Sequence, residues 1–366
     1  MTGSRILRLL LLSVNLLLIT SLLLSNLARF IDPNIILFPA FFGLAFLPLL
    51  FLNLLFALFW LVMRPKYLWF AGAAVIISLP VAMLHIQLHT SFQDDSADFK
   101  ILSYNVRLFD LYNWSHNKKT RNKILDYVQE CDADIICLQE YFRTENLNYF
   151  NTLDTLLEVQ RAKYYHEEFT GMLHGDRDKF GIITISVFPI ISEGRVPLDT
   201  SGHNIAIYTD IKIKDDTIRV FNLHLASVHL SALEKDIDSH IKQNLREQQW
   251  EDLKQLIQKL AGGFKRRANQ ANVIAKHVKN SPHPVIICGD FNDTPGSYAY
   301  QKLSNSLKDS FVERGIALGS TYIGFFPSFR IDYLLHDERL DIHHFQTENV
   351  KLSDHRPLVG QFSLTD

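Results

Sequence analysis

The sequence predicts an α/β domain carried behind three membrane-spanning helices, and two contrasts along the chain predict it. The 366 residues are 47% hydrophobic, but almost all of the apolar excess lies before residue 90. Beyond that point short β-rich runs alternate with polar helical segments, as strands and helices do in a layered α/β fold. The length accommodates one large domain plus something smaller. The expected division is an anchor of three helices over residues 1–90 and a second domain over residues 91–366.

Three apolar segments open the chain, at about residues 6–27, 35–63 and 68–88. Each is near or above the ~20 residues that a helix needs to cross a hydrocarbon core of ~30 Å. Arg29, Asp32 and Pro33 separate the first two, and Arg64, Pro65 and Lys66 separate the second pair. Trp60, Tyr67 and Trp69 cluster around that second break, as an interfacial aromatic belt does. A signal peptide is a poor reading, because two more spans follow and no small-residue cleavage site is evident. Arg5, Arg8, Arg64 and Lys66 put the amino terminus and the second loop in the cytoplasm by the positive-inside rule, with Asp94, Asp95 and Asp98 after the third span. An odd number of spans then places everything after residue 90 on the extracytoplasmic side.

The second domain reads in order. Residues 100–106 form a strand ending in Asn105, an amide that is either satisfied in the core or aimed at a site. Residues 118–131 have helical spacing through Ile124, Tyr127 and Val128. The run 134–140 is continuously apolar, like a buried strand, and ends abruptly in Glu140. A carboxylate at the mouth of a buried strand is costly unless a cation or partner neutralises it, which makes Glu140 a metal-ligand candidate. Residues 179–189 are a further strand, and 205–213 with 217–225 form a hairpin whose second strand carries His224, by default a core histidine. A long helical insertion over about residues 231–280 is expected to break at Gly262-Gly263; its Lys265-Arg266-Arg267 cluster fits a solvated face better than the alternative, a face toward anionic lipid.

The strand Val285-Ile286-Ile287-Cys288 then runs into Gly289-Asp290-Phe291-Asn292 and a Pro295-Gly296 turn. Asp290 and Asn292, two apart in extended chain, point to the same side; in isolation such a stretch also fits an Asx-rich turn. A short helix near 298–307 follows, then a strand over 329–335 with Arg330 and Asp332 on one face. Asp354-His355 stands immediately before a closing strand.

The polar exceptions thus fall at strand ends: Asn105, Glu140, His224, Asp290, Asn292, Asp332, Asp354 and His355. Hard oxygen donors of this kind suit Mg²⁺, with Mn²⁺ or Ca²⁺ as alternatives, better than Zn²⁺. A cation at carboxylates with imidazoles alongside suits hydrolysis at phosphorus, and no serine or cysteine nucleophile with a base competes with that reading. The three cysteines, Cys131, Cys137 and Cys288, lie in or beside apolar runs without metal-ligand spacing. A net charge of −2 gives no support to a strongly basic nucleic-acid binder.

Ser-Tyr-Asn105, Leu-Gln-Glu140, Asn-Leu-His224, Gly-Asp290-Phe-Asn292, Arg-Ile-Asp332-Tyr and Ser-Asp354-His355-Arg-Pro resemble, in order, the signatures of the endonuclease/exonuclease/phosphatase superfamily. Deoxyribonuclease-I-like nucleases, abasic-site endonucleases, neutral sphingomyelinases and inositol-polyphosphate 5-phosphatases belong to it. The match covers about residues 99–364. It implies a four-layer α/β sandwich of two central mixed sheets flanked by helices, with the site at one rim. It implies Glu140 as principal metal ligand with Asn105 beside it, and Asp354 as a further ligand. Asp290 would position the attacking water, Asn292 would hold the phosphoryl group, and Asp332 would orient His355, which acts on water or phosphate. His224 matches the histidine of the nuclease and sphingomyelinase branches and argues against the abasic-site branch.

Two departures bear on substrate: the insertion after His224 and the spans have no counterpart in the superfamily core. The expected activity is that of a bilayer-anchored, Mg²⁺-dependent phosphoesterase acting on a lipid or other phosphoester. The alternatives are an extracytoplasmic nonspecific nuclease on DNA or RNA and a non-catalytic membrane-anchored binding module. The sequence identifies no protein partner.

Overall fold

The computed structural model describes residues 2–89, 97–146, 152–198, 204–228, 246–324 and 328–365. Three of its helices are long and apolar enough to cross a membrane: α1 (Thr2–Ala28), α3 (Phe46–Met63) and α4 (Leu68–His85). Several of their polar side chains pair inside the bundle. Trp60 Nε1 donates to Asn15 Oδ1 at 2.9 Å, Asn26 Nδ2 to Ser78 Oγ at 2.7 Å, and Asn53 Nδ2 to the Leu18 carbonyl at 3.0 Å. Leucines such as Leu16, Leu17 and Leu58 face outward.

Two of the expected spans end differently. The second is not continuous: Phe38–Leu44 forms a separate short helix (α2), and the chain turns at Ala45 before α3 begins. The third stops at His85, because Ile86 is extended and Gln87–Leu88 (β1) pairs with a strand near the far end of the chain.

The remaining strands, in chain order, are β2 (Phe99–Asn105), β3 (Ile135–Thr144), β4 (Tyr164–Leu173), β5 (Asp178–Ser186), β6 (Ile190–Arg195), β7 (Ile205–Ile213), β8 (Asp216–His224), β9 (Val285–Asp290), β10 (Lys308–Asp309), β11 (Ile316–Ala317), β12 (Asp332–His336), β13 (Leu340–Thr347) and β14 (Leu358–Leu364). They make two six-stranded mixed sheets, ordered β13-β14-β2-β3-β5-β4 and β10-β12-β9-β8-β7-β6, and a small β1-β11 ribbon. The parallel pairs β2-β3 and β8-β9 sit at the centres, buried on both faces, which is why their sequences read as near-continuous apolar runs.

Three apolar cores hold four layers. Ile101, Ile135 and Cys137 of one sheet meet Ile218, Ile286 and Cys288 of the other in the middle. The helix Thr120–Cys131 (α5) covers the first sheet through Ile124 and Val128. The second sheet is covered by the 34-residue helix Arg246–Lys279 and the short helix Tyr298–Ser304, through Ala271, Ile274, Tyr300 and Leu303. The sandwich expected from the resemblance is therefore present.

The long helix does not break at Gly262-Gly263. It runs through both glycines, and Gly263 is the place where a Cβ would come within 2.9 Å of Val228 and of Arg267. Close approach, rather than a turn, is the use of that glycine. Nor is the basic cluster wholly solvated: Arg267 is buried, with Nε 2.8 Å from Asp293 Oδ2 and Nη1 2.9 Å from the Ala226 carbonyl, while Lys265 and Arg266 are exposed.

The apolar helices are joined to the sandwich at one end. Gly43 and Gly296 approach so closely that a Cβ on either would lie 2.7 Å from the other's carbonyl oxygen. Asn34 Nδ2 donates to Asn269 Oδ1 at 2.9 Å, Arg29 bonds Gln301, and Phe41 meets Phe264 edge to face with centroids 5.3 Å apart. Arg330 makes a further tie. It precedes β12 rather than lying on a strand beside Asp332; it pairs with Asp309 at 2.8 Å and donates to the Leu84 carbonyl at 2.8 Å. Aromatic faces of Phe311 and Tyr333 enclose its guanidinium. Removing one partner of a buried ion pair leaves the other charge uncompensated, a loss of about 3–5 kcal/mol. Arg330→Ala is accordingly expected to lower the thermal midpoint of the full chain in detergent, whereas Lys351→Ala on the surface leaves it unchanged.

Candidate active site

Strand direction brings the site together. β2, β8 and β9 end, and β12 begins, at the same edge of the sandwich: Asn105 lies level with Gln139, His224 with Asp290, and Asp290 with Asp332. His355 stands just before β14, whose first residue pairs with Ser103. The chain that follows Asp290 is fixed by Phe291 N–H donating to the Ile331 carbonyl at 2.9 Å and Leu225 N–H to the Asp290 carbonyl at 2.9 Å.

Several of these residues hold unusual backbone conformations. Glu140 has φ 48° and Asn292 φ 53°, a region non-glycine residues occupy at a cost of about 1–3 kcal/mol. Glu140 does not end its strand as expected: β3 continues to Thr144, and the left-handed residue coincides with an irregularity in the β3-β5 pairing between Leu138 and Tyr141. Gly289 has φ 128°, and a Cβ there would overlap the Leu223 carbonyl of β8. Gly289→Ala is expected to destabilise the fold by about 3 kcal/mol or more, from strain and overlap together. A midpoint unchanged in denaturant unfolding of the variant would contradict this.

At the centre lies Asp290, 1% exposed. Asn105 Nδ2 donates to Asp290 Oδ2 at 3.1 Å and approaches Glu140 Oε1 at 3.4 Å. His224 Nε2 lies 3.8 Å from both of those oxygens. Opposite, His355 Nδ1 is 2.8 Å from Asp332 Oδ2, which leaves Nε2 directed at Asp290 Oδ2, 3.7 Å away. Asn292 donates its backbone N–H to Asp290 Oδ1 at 2.8 Å and its side-chain amide to the Leu225 carbonyl at 3.1 Å. Asp354 pairs with Arg107 Nε at 3.2 Å.

The charges are under-compensated. Burial first, then the neighbouring Asp332, raises the Asp290 carboxyl to about 7, against the opposing pull of His355 and the Asn292 N–H. Burial and Asp354 also raise Glu140. Burial alone would lower His355, but Asp332 and Asp290 outweigh it and hold the imidazole well above its ordinary value. The Asp332 and Asp290 carboxylates thus favour the protonated form of the His355 imidazole.

All eight residues singled out from the sequence lie at this edge, with Asp354 turned toward Arg107. Sequence reading missed several supports. Gln139 Nε2 donates to Asn222 Oδ1 at 2.8 Å, a buried amide bridge between the sheets one and two residues from Glu140 and His224. Their sequence signal was available, since each is a polar residue in an apolar strand. Ser353 Oγ, which donates to the Asn105 carbonyl at 2.8 Å, and Thr321 Oγ1, which accepts from Asp332 N–H at 3.0 Å, had none.

The donor set fits a hard divalent cation. Glu140 Oε1 and Asp290 Oδ2 face one gap with the Asn105 amide between them, and their raised proton affinity marks negative charge without a matching cation. Asp290, Asp332 and His355 also gather ligand atoms within 4.8 Å, but there Asp332 is committed to the imidazole.

Residues 102–355 match the Endonuclease/Exonuclease/phosphatase family over more than half of the chain. The chain belongs to that family. Residues 7–83 match a separate domain of unknown function, and no curated protein matches. Among solved structures, a family member from Bacteroides thetaiotaomicron is 18% identical with a TM-score of 0.53, covering 73% of this chain and 98% of its own. A mannosyl-6-phosphatase from the same organism is 18% identical with a TM-score of 0.51, covering 73% and 100%. An endonuclease/exonuclease/phosphatase from Beutenbergia cavernae is 15% identical with a TM-score of 0.53, covering 73% and 72%. At these identities the likeness is one of fold. Members of this family are hydrolases of phosphoesters and generally use a divalent metal.

Proposed function

We propose that the chain is a membrane-anchored, Mg²⁺-dependent phosphoesterase, divided near residue 90 into an anchor and a catalytic domain that hydrolyses a lipid phosphoester on the extracytoplasmic side. The observation that carries the catalytic reading is the Asp332-held imidazole of His355 aimed across Asp290 at Asn105, Glu140 and His224. Glu140, with Asn105, would hold the cation, and Asp354 would add a ligand once released from Arg107. When bound, the cation supplies neutralisation of charge developing on the phosphoryl oxygens. Asp290, buried at the centre and facing His355 Nε2 across 3.7 Å, is placed to take the proton of an attacking water. His355, as imidazolium, donates from Nε2 to a phosphoryl oxygen, and His224 and Asn292 donate to the same group or to the leaving oxygen. Outward-facing leucines on α1 and α3 and the internal pairing of their polar groups support residence in a bilayer.

One observation favours the nuclease reading. Tyr112 and Trp114 are exposed and stack edge to face with centroids 5.2 Å apart, and Arg107, which pairs with Asp354, lies 4.5 Å over the Trp114 ring. Exposed aromatics beside a phosphate site are a stacking platform for bases.

The test is hydrolysis by the full chain in lipid nanodiscs, with Mg²⁺ or with EDTA, of sphingomyelin, phosphatidylinositol phosphates and plasmid DNA. Metal-dependent turnover of lipid and not of DNA supports the proposal. DNA cleavage that falls in Trp114→Ala moves the nuclease to first place. Absence of all turnover from a folded chain overturns both. Protease accessibility of the sandwich in sealed inverted vesicles decides the side: protection supports the extracytoplasmic assignment, and digestion overturns it.

A further inference from the structure

The long helix is longer than the sheet it covers. Its carboxy-terminal half packs on the second sheet through Ala271, Ile274 and Val278, and Arg267 pairs with Asp293 just beyond the site edge. Residues 246–263 continue past that edge for about 27 Å, at about 1.5 Å per residue. Along this extension Trp250, Leu253, Ile257 and Leu260 follow one another at spacings of three and four, and Phe264 is the next position of the same stripe. Trp250 is 71% exposed, Leu253 44% and Ile257 46%. Lys254, Gln258 and Lys265 flank the stripe along one side, with Glu251 and Arg266 beyond them, all exposed.

What covers the stripe is indicated by where it leads. Phe264 is buried against Phe41 of α2, and α3, long and apolar enough to cross a membrane, begins only five residues beyond Phe41. The stripe is thus continuous with a contact at the head of a span. A helix with a tryptophan, a leucine and an isoleucine along one stripe, lysines flanking it, and a span beside it has the character of an interfacial helix. Asp252, on another side of the extension, is buried, whereas the stripe from Trp250 to Ile257 stays exposed, which is unexpected for a helix serving only the sandwich.

We infer that residues 246–263 lie on the bilayer surface with Trp250, Leu253 and Ile257 in the headgroup-acyl boundary, so that the site edge is held against the membrane at two places, the spans and this arm. The inference rests on the proposal that α1, α3 and α4 span a bilayer.

The test uses the full chain reconstituted in vesicles of phosphatidylcholine and phosphatidylglycerol, with or without phosphatidylcholine brominated near the headgroup. Two single-tryptophan proteins are compared, one retaining Trp250 and one retaining Trp69 at the start of α4, the remaining tryptophans being replaced by phenylalanine. Trp250 emission is expected to be quenched about twofold or more, as for a ring ~5–10 Å into the boundary. Leu253→Asp with Ile257→Asp in that background is expected to abolish the quenching with an unchanged far-ultraviolet dichroism spectrum. Trp69 quenched with Trp250 unquenched overturns the arm contact alone, whereas neither quenched overturns the anchor as well. Emission that responds to protein dilution and not to bromine places a second copy on the stripe and also overturns it. As a check that avoids multiple substitutions, Trp250→Ala in the otherwise unaltered chain must lower the bromine-quenchable share of total emission; an unchanged share contradicts the inference.

Discussion

Replacing His355 by alanine is expected to lower phosphoester turnover by about 10²–10⁴-fold, the range for removing a positioned proton-transfer group. The reason is specific to this edge: Nδ1 is committed to Asp332 at 2.8 Å, so the ring is locked and Nε2 is presented toward Asp290. Asp332→Asn tests the same dyad from behind. An amide keeps the size of the partner and removes the charge that, with Asp290, keeps the imidazole protonated. The imidazolium is then lost at lower pH, so the basic limb of the pH–rate profile is expected to move to lower pH in Asp332→Asn, while His355→Ala loses that limb altogether. Turnover in His355→Ala within threefold of the parent would remove His355 from the chemistry.

Removal of divalent cations is expected to abolish turnover and to lower stability in a pH-dependent way. Without a cation the folded Asp290 carboxyl sits at about 7, against 3.8 for its ordinary value. A carboxyl raised on folding contributes stability that is fully present below the ordinary value and lost as pH rises toward the raised one. The cation-free protein therefore loses stability between about pH 4 and pH 7, and a bound cation offsets the ionised pair of Asp290 and Glu140. Mg²⁺ is expected to raise the thermal midpoint at pH 8 by several degrees, about 2–4 °C for each kcal/mol, and much less at pH 5. Asp290→Asn is expected to flatten that difference. An equal Mg²⁺ effect at both pH values would show that the cation acts elsewhere.

What could be read from the residues alone follows a physical rule: signals carried by local pattern survive, and signals that depend on what lies opposite do not. The three apolar helices and the central strands β2, β3, β8 and β9 were legible because a helix in lipid and a strand buried on both faces each demand continuous apolar sequence. The outer strands β4, β6 and β13 were not, since their half-exposed alternation resembles many polar segments. The site was visible as a set of polar exceptions, because a carboxylate or imidazole ending an apolar strand needs a reason. Their assembly at one edge depends on strand directions, which no single segment encodes.

Tertiary structure alone decided the rest. Gly262-Gly263 reads locally as a break, but the packed face from Phe264 to Val278 keeps the helix whole. Arg330 reads as sharing a strand face with Asp332, yet it precedes the strand, and a buried partner, Asp309, took it into the joint with Leu84. Arg267 left the basic surface for the same reason, drawn to Asp293. The sequence by itself determined which side chains this protein must explain: a carboxylate, an imidazole or a guanidinium in apolar surroundings is a local fact of chemistry. Which partner satisfies each one is a matter of distance in three dimensions, and only the packing of the two sheets, the long helix and the apolar helices set those distances.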